Sequence, residues 1–159
     1  MKRTRLERYT PLRATQPPRA SNHTRNPSRA RQRRAGPARR RDTGPTREVR
    51  AVVLARDGWR CVRCGADITA APYSLQHRRA RGVGGTRREN TNSPANLIVL
   101  CGTATSAGGC HQRVESRRHE AKGCGWAVPL AASDPAEWRV WTVDRGWIFL
   151  DHDGGWRPA

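Results

Sequence analysis

Four of the five cysteines in this chain fall into two groups, Cys61 and Cys64 in the stretch CVRCG, then Cys101 and Cys110. No other feature narrows the fold as far. Two thiolates separated by two residues can grip one metal ion while the intervening amides point at the sulfurs, and Gly65 permits the tight turn that follows. A lone C-x2-C is shared with redox pairs, but no thioredoxin-like strand–helix pattern surrounds this one. A second cysteine pair further along completes a tetrahedral zinc set. The Cys101–Cys110 spacing is long, and the small residues Gly102 to Gly109 between them form a loop that can bulge outward. One alternative stays open. If Cys110 points elsewhere, Cys124 is the spare thiol and zinc would recruit His111.

Charge points to the partner. The chain of 159 residues carries 31 Lys and Arg against 13 Asp and Glu, a net +18, and nearly all the cations are arginine. Residues 1–50 hold 16 of the cations and 3 of the acids, so +13 of the charge is theirs. Proline, serine and threonine fill the space between, and such a segment buries too little surface to offset its ordering entropy. Residues 1–45 therefore read as a disordered basic arm. Guanidinium forks bind phosphate oxygens two at a time, which favours nucleic acid as the polyanion. A membrane-surface helix would need an apolar face beside the charge, and this region has none. With no run of ~18 apolar residues and no signal-peptide core, a cytoplasmic protein is expected, its cysteines holding metal rather than disulfides.

The first ordered element is expected to be a helix over 46–56, with Thr46 as N-cap, Glu48 in the first turn and Asp57-Gly58 ending it. Trp59 is expected to close the small core beneath it. Tyr73–His77 (YSLQH) reads as a short strand ending in His77, and Ala95–Cys101 (ANLIVLC) as a second, apolar one. The loop of about twenty residues between them is glycine- and arginine-rich, and loops that long in a compact domain are usually functional. Arg78, Arg79, Arg81, Arg87 and Arg88 crowd round His77, disfavouring its imidazolium and leaving a neutral base. Cys110 opens a helix running to about Lys122, with His111 and Glu115 on one face. Beyond Gly125, Trp138–Val143 and Trp147–Asp151 alternate about a turn at Asp144–Gly146 and predict a β-hairpin. Its aromatics are expected to pack on the helix or the zinc module, since no basic cluster interleaves with them to favour base stacking.

Taken in order, CVRCG, LQHRR, GGT, NLIVLC and CH resemble the HNH endonuclease family over residues 46–128. The pattern is especially similar to small HNH proteins encoded by bacteriophages of actinobacteria. The resemblance implies an α+β fold built on a ββα-metal (His-Me finger) core stiffened by a four-cysteine zinc site. That core would be preceded by a helix and followed by the hairpin of residues 129–159. It further implies that His77 is the general base, that Asn96 braces the loop and orients it, and that His111 binds a catalytic divalent cation, Mg²⁺ or another. Asn90 or Asn92 are alternatives to Asn96 as the brace. Cys61, Cys64, Cys101 and Cys110 match the structural zinc ligands. Most of the family carries Asp or His before the catalytic histidine; here Gln76 stands there, a weaker ligand for a hard cation. Gln76 would coordinate it, or Glu115 would reach the metal from the helix.

The activity so implied is metal-dependent hydrolysis of DNA phosphodiester bonds, with Arg78, Arg79, Arg81, Arg87 and Arg88 gripping phosphate and little sequence preference. In phages of this kind such proteins are often tied to the terminase and genome packaging, so DNA and the terminase large subunit are the expected partners. No membrane and no nucleotide cofactor are expected. Two further readings stand beside this one: a homing or restriction-type nuclease, and a zinc-ribbon DNA-binding protein that has lost cleavage.

Overall fold

The computed structural model describes residues 44–82, 86 and 88–159. The expected arm lies outside these residues except for its last two, and so does Arg87. Among the described residues the chain is a mixed helix-and-strand fold with a two-stranded and a three-stranded antiparallel sheet.

Helix α1 spans Arg47–Arg56, and the Thr46 side chain caps it by accepting the Val49 amide at 3.3 Å. Its last turn does more than pack. Arg56 and Asp57 are both buried and pair at 2.7 Å. The Arg56 guanidinium also donates to the carbonyls of Pro94 and Leu97, while Asp57 accepts the Val99 amide. A buried ion pair is tolerable only when its remaining hydrogen-bonding groups are satisfied, and here they are satisfied by the strand that α1 lies against. Trp59 does not close the core. It is 45% exposed and takes a positive φ of 55°, while Val62 and Ile68 are buried in its stead.

Strands β1 (Tyr73–His77) and β2 (Leu97–Cys101) pair antiparallel, with Gln76 opposite Ile98 and His77 opposite Leu97. β2 starts later than expected because Pro94–Asn96 form a turn of 3-10 helix, capped by Ser93. All but the last residue of β2 is buried, as its unbroken apolar run requires. The single helix expected from Cys110 to Lys122 is two, α2 (Cys110–Ser116) and α3 (Arg118–Gly123), broken where Arg117 leaves helical geometry (φ −109°, ψ 64°).

The C-terminal segment adds β3 (Val140–Thr142), β4 (Gly146–Leu150) and a third strand, β5 (Trp156–Pro158), which the alternation did not reveal. Val140, Ile148 and Leu150 join the same buried cluster as Val53, Leu97 and Val114. The aromatics face the other way, contrary to expectation. Trp141 is exposed, and Trp147 and Phe149 are half-exposed. Chain 125–139 is drawn in by Arg78, which is fully buried. Its guanidinium donates to the carbonyls of Ala95, Gly125, Pro135, Trp138 and Arg139 at 2.6–3.2 Å. Gly125 must be glycine for this approach: a Cβ there would lie 2.0 Å from the Arg139 carbonyl oxygen. Among the described residues no helix is long and apolar enough to cross a membrane.

Candidate metal centre and adjoining histidine site

The sulfurs of Cys61, Cys64, Cys101 and Cys110 all lie within 4.8 Å of one another, and none of these cysteines is in a disulfide. Cys64 and Cys101 Sγ are 3.8 Å apart. Four sulfurs placed tetrahedrally about zinc at ~2.3 Å stand about 3.8 Å from each other, so the donor set and its spacing fit that ion. The four cysteines can bind a metal ion, and the thiolate softness of the set is consistent with structural zinc. Cys110 points into the set, so the alternative that recruits His111 to this ion is not needed.

The local chain explains the geometry. Cys61 to Gly65 close a tight turn in which the Gly65 amide donates to the Cys61 carbonyl at 2.8 Å. On the other side the long spacing collapses at its base. A Cβ on Gly102 would meet Gly109 Cα at 3.0 Å, so the two glycines bring Cys101 and Cys110 together. Residues 103–108 bulge away in a turn held by Thr103 and Ser106. Burial pushes the Cys61 and Cys110 thiols up, whereas at Cys64 burial is outweighed by the Ala66 amide and the neighbouring sulfurs, which bring it down. Arg63 approaches Cys110 Sγ through Nη1 at 3.5 Å and pairs with Glu120 Oε1 through Nη2 at 3.3 Å, placing positive charge beside the cysteine sulfurs.

His77 ends β1 half-buried, and its Nε2 lies 2.9 Å from Asn92 Oδ1. Burial first, and then the charge of Arg81, lower its pKa; the Asn92 bond opposes them. The direction agrees with the sequence reading, although desolvation rather than the arginine cluster leads. Asn96 is completely buried and accepts the Arg79 amide at 2.7 Å. Its Nδ2 donates to the carbonyls of Arg79 and Thr91. Asn96 therefore clamps both ends of the loop, while contact with the imidazole falls to Asn92.

Two of the five arginines expected on the phosphate-binding face are structural. Arg78 is the buried anchor described above. Arg79, 2% exposed, donates to the carbonyls of Ala132 and Ser133 and to Asn90. Neither can reach a phosphate without unmaking the fold. Arg81 and Arg88 are exposed, and Arg88 also donates to the carbonyls of Leu130 and Ala132. Two adjoining depressions of about 240 and 380 Å³ meet at Ala80 and Leu130. The first is lined by Arg81 and Arg88, the second by Arg118 and Lys122. Neither of the latter pair was among the arginines expected to bind phosphate, since both sit on the helical segment after Cys110 rather than in the loop.

His111 is the second residue of α2, and burial lowers its pKa against the opposing charge of Glu115. Its Nδ1 is buried without a hydrogen-bond partner. Gln76, also buried, donates from Nε2 to Glu115 Oε1 at 2.8 Å, which brings Gln76, His111 and Glu115 to one β1–α2 contact. An orphaned imidazole nitrogen, a carboxylate and an amide oxygen are donors that suit a divalent cation. Among the described residues, though, only the cysteines draw three or more His, Cys, Asp or Glu together closely enough to hold one.

No family model matches the chain, and neither a curated protein nor a solved structure matches it.

Proposed function

We propose that the chain is a metal-dependent DNA endonuclease of the HNH type, with β1, the loop, β2 and α2 as its ββα-metal core. The observation that carries this reading is His77 at the end of β1, held by Asn92 in a loop clamped by Asn96, with the orphaned nitrogen of His111 on the helix that follows β2. With the Asn92 oxygen on Nε2, that nitrogen carries the imidazole proton and Nδ1 is left to accept one from water. The lowered pKa keeps His77 neutral for this role near pH 7. His111 and Glu115, with Gln76, would hold the divalent cation, which polarises a phosphodiester and stabilises the leaving oxygen when bound. The four-cysteine site, holding zinc, would fix β2 and α2 so that His111 keeps its position. Arg81, Arg88, Arg118 and Lys122 offer phosphate contacts without base readout, so cleavage would show little sequence preference. A role in phage genome packaging beside a terminase is the physiological setting this reading favours.

A plasmid-nicking assay with Mg²⁺, Mn²⁺ or Ni²⁺, comparing the wild type with His77→Ala, tests it. Metal-dependent nicking lost in His77→Ala is the expected result. Intact plasmid in every metal would leave the second reading, a zinc-bearing DNA-binding protein without cleavage. That reading has its own support in Gln76, a neutral amide bonded to Glu115 where the family carries Asp or His.

A further inference from the structure

The outward face of the three-stranded sheet carries a layer of aromatic rings and guanidinium groups. Trp141 and Trp147 are register partners on β3 and β4, with ring centroids 5.6 Å apart and planes at 68°. Arg139 lies over the Trp147 ring at 4.4 Å, and Arg157 over Phe149 at 4.2 Å, where Phe149 and Arg157 are register partners on β4 and β5. Strand alternation puts these five side chains on one face, since Val140, Thr142, Ile148 and Leu150 between them are buried on the other. Trp141 is 39% exposed and Arg139 and Arg157 are exposed, so an accessible ring stands beside two cations already oriented by stacking.

A purely structural aromatic cluster would turn its largest ring inward. Here Val140, Ile148 and Leu150 face the core, and Trp141, Trp147 and Phe149 lie on the other side of the sheet. Every nucleobase has a π-face, and an aromatic ring flanked by cations can stack bases while the guanidinium edges meet the phosphates that link them. A duplex keeps its bases stacked on each other and cannot use such a ring. The strand positions on this face hold no acid and no hydroxyl; Glu137 and Asp151 line a depression with Phe149 and Arg157, and Asp144 stands in the turn between β3 and β4. The rings themselves thus offer no side-chain acceptor for a ribose 2′-hydroxyl.

We infer that the β3–β4–β5 face, through Trp141, Trp147, Arg139 and Arg157, binds single-stranded DNA by base stacking. This site is separate from His77 and does not depend on the nuclease reading.

The test is fluorescence anisotropy of a labelled oligothymidylate titrated with the full chain across a range of salt concentrations. Because residues 1–50 carry +13 and would attract any polyanion, the readouts are affinity and salt slope together. Trp141→Ala is expected to weaken binding about tenfold with an unchanged slope, the effect of one lost stacking contact. Arg139→Gln with Arg157→Gln, substitutions that leave every ring in place, should weaken binding and flatten the slope. Duplex binding should be unchanged in both variants. Wild-type affinity in both face variants would overturn the inference, as would equal losses for duplex and single strand. Tighter binding of the matching RNA would overturn the assignment to DNA.

Discussion

Gln76 Nε2 donates to Glu115 Oε1 at 2.8 Å, so the residue before His77 is tied to the helix that carries His111. Under the proposed nuclease reading, this bond engages the carboxylate that would help hold the divalent cation. Gln76→Asp removes the amide donor and adds a second carboxylate beside Glu115. Two like charges at that contact repel one another unless a cation lies between them. The variant should therefore melt at a lower temperature than the wild type without added Mn²⁺ and recover as Mn²⁺ is added. The Mn²⁺ concentration for half-maximal nicking should fall about tenfold. Measuring melting and nicking over the same Mn²⁺ titration checks both; an unchanged midpoint would remove Gln76 and Glu115 from the proposed cation site.

The cysteine set makes a separate prediction. Cys64→Ser and Cys101→Ser should each fall below the one equivalent of zinc expected of the wild type, as read by elemental analysis, and should lose the cooperative melt. Structural zinc supplies about 10–16 kcal/mol in small domains, more than the net stability of most folds. Cys124→Ser should keep one equivalent, since Cys124 lies outside the set. Low pH should act like the serine substitutions, because a metal-bound thiolate must be deprotonated and acid competes for the sulfur.

Arg78 and Arg81 look alike in the sequence and should behave in opposite ways. Arg78→Ala leaves five main-chain carbonyls without their donor and should cost roughly 3–5 kcal/mol in denaturant melts. Arg78→Lys should recover little, because an ammonium cannot span the same fork of acceptors. Arg81→Ala should lose less stability than Arg78→Ala and bind duplex more weakly, with the salt slope reduced by about one. If Arg81→Ala binds duplex normally at every salt concentration, phosphate contact lies elsewhere.

That contrast marks the limit of what could be read from sequence. Cap, turn and period place α1, β1, the body and end of β2 and the start of α2 correctly because each is decided within a few residues. The cysteine set was equally legible, since metal chemistry limits which residue types and spacings can serve. Arg78 and Arg79 were misassigned because their burial depends on chain 125–139 wrapping over them, a long-range event with no local signature. The break at Arg117 and the strand Trp156–Pro158 were hidden for the same reason: each depends on what packs beside it. The outward-facing rings of β3 and β4 ran against the rule that large aromatics go inside, and the stacked arginines are far enough apart in sequence to go unnoticed as partners.

A chain of hydrogen bonds links the C-terminal end to the loop that carries Asn92. Ser93 Oγ lies 2.5 Å from His152 Nδ1, and His152 Nε2 lies 2.8 Å from Asp134 Oδ2. Burial alone would raise the Asp134 pKa, but the Ala136 amide, His152 and Arg79 outweigh it, and the carboxyl sits below its ordinary value. A carboxylate whose folded pKa is depressed binds fewer protons than in the unfolded chain. Its stabilisation is full above the unfolded value near 3.8 and is lost as pH falls through the lower folded value. Because both partners are partly exposed, the pair should contribute no more than about 1 kcal/mol. Asp134→Asn should therefore lower the melting temperature slightly at pH 6, and the wild-type and variant curves should converge as pH falls below the unfolded value near 3.8. His152→Ala should reproduce the loss at pH 6 and, by freeing Ser93, speed amide exchange at Ala95, whose N–H is capped by the Ser93 hydroxyl at 3.3 Å. A difference between wild type and Asp134→Asn that persists undiminished at pH 2 would show that the side chain acts by shape rather than by charge.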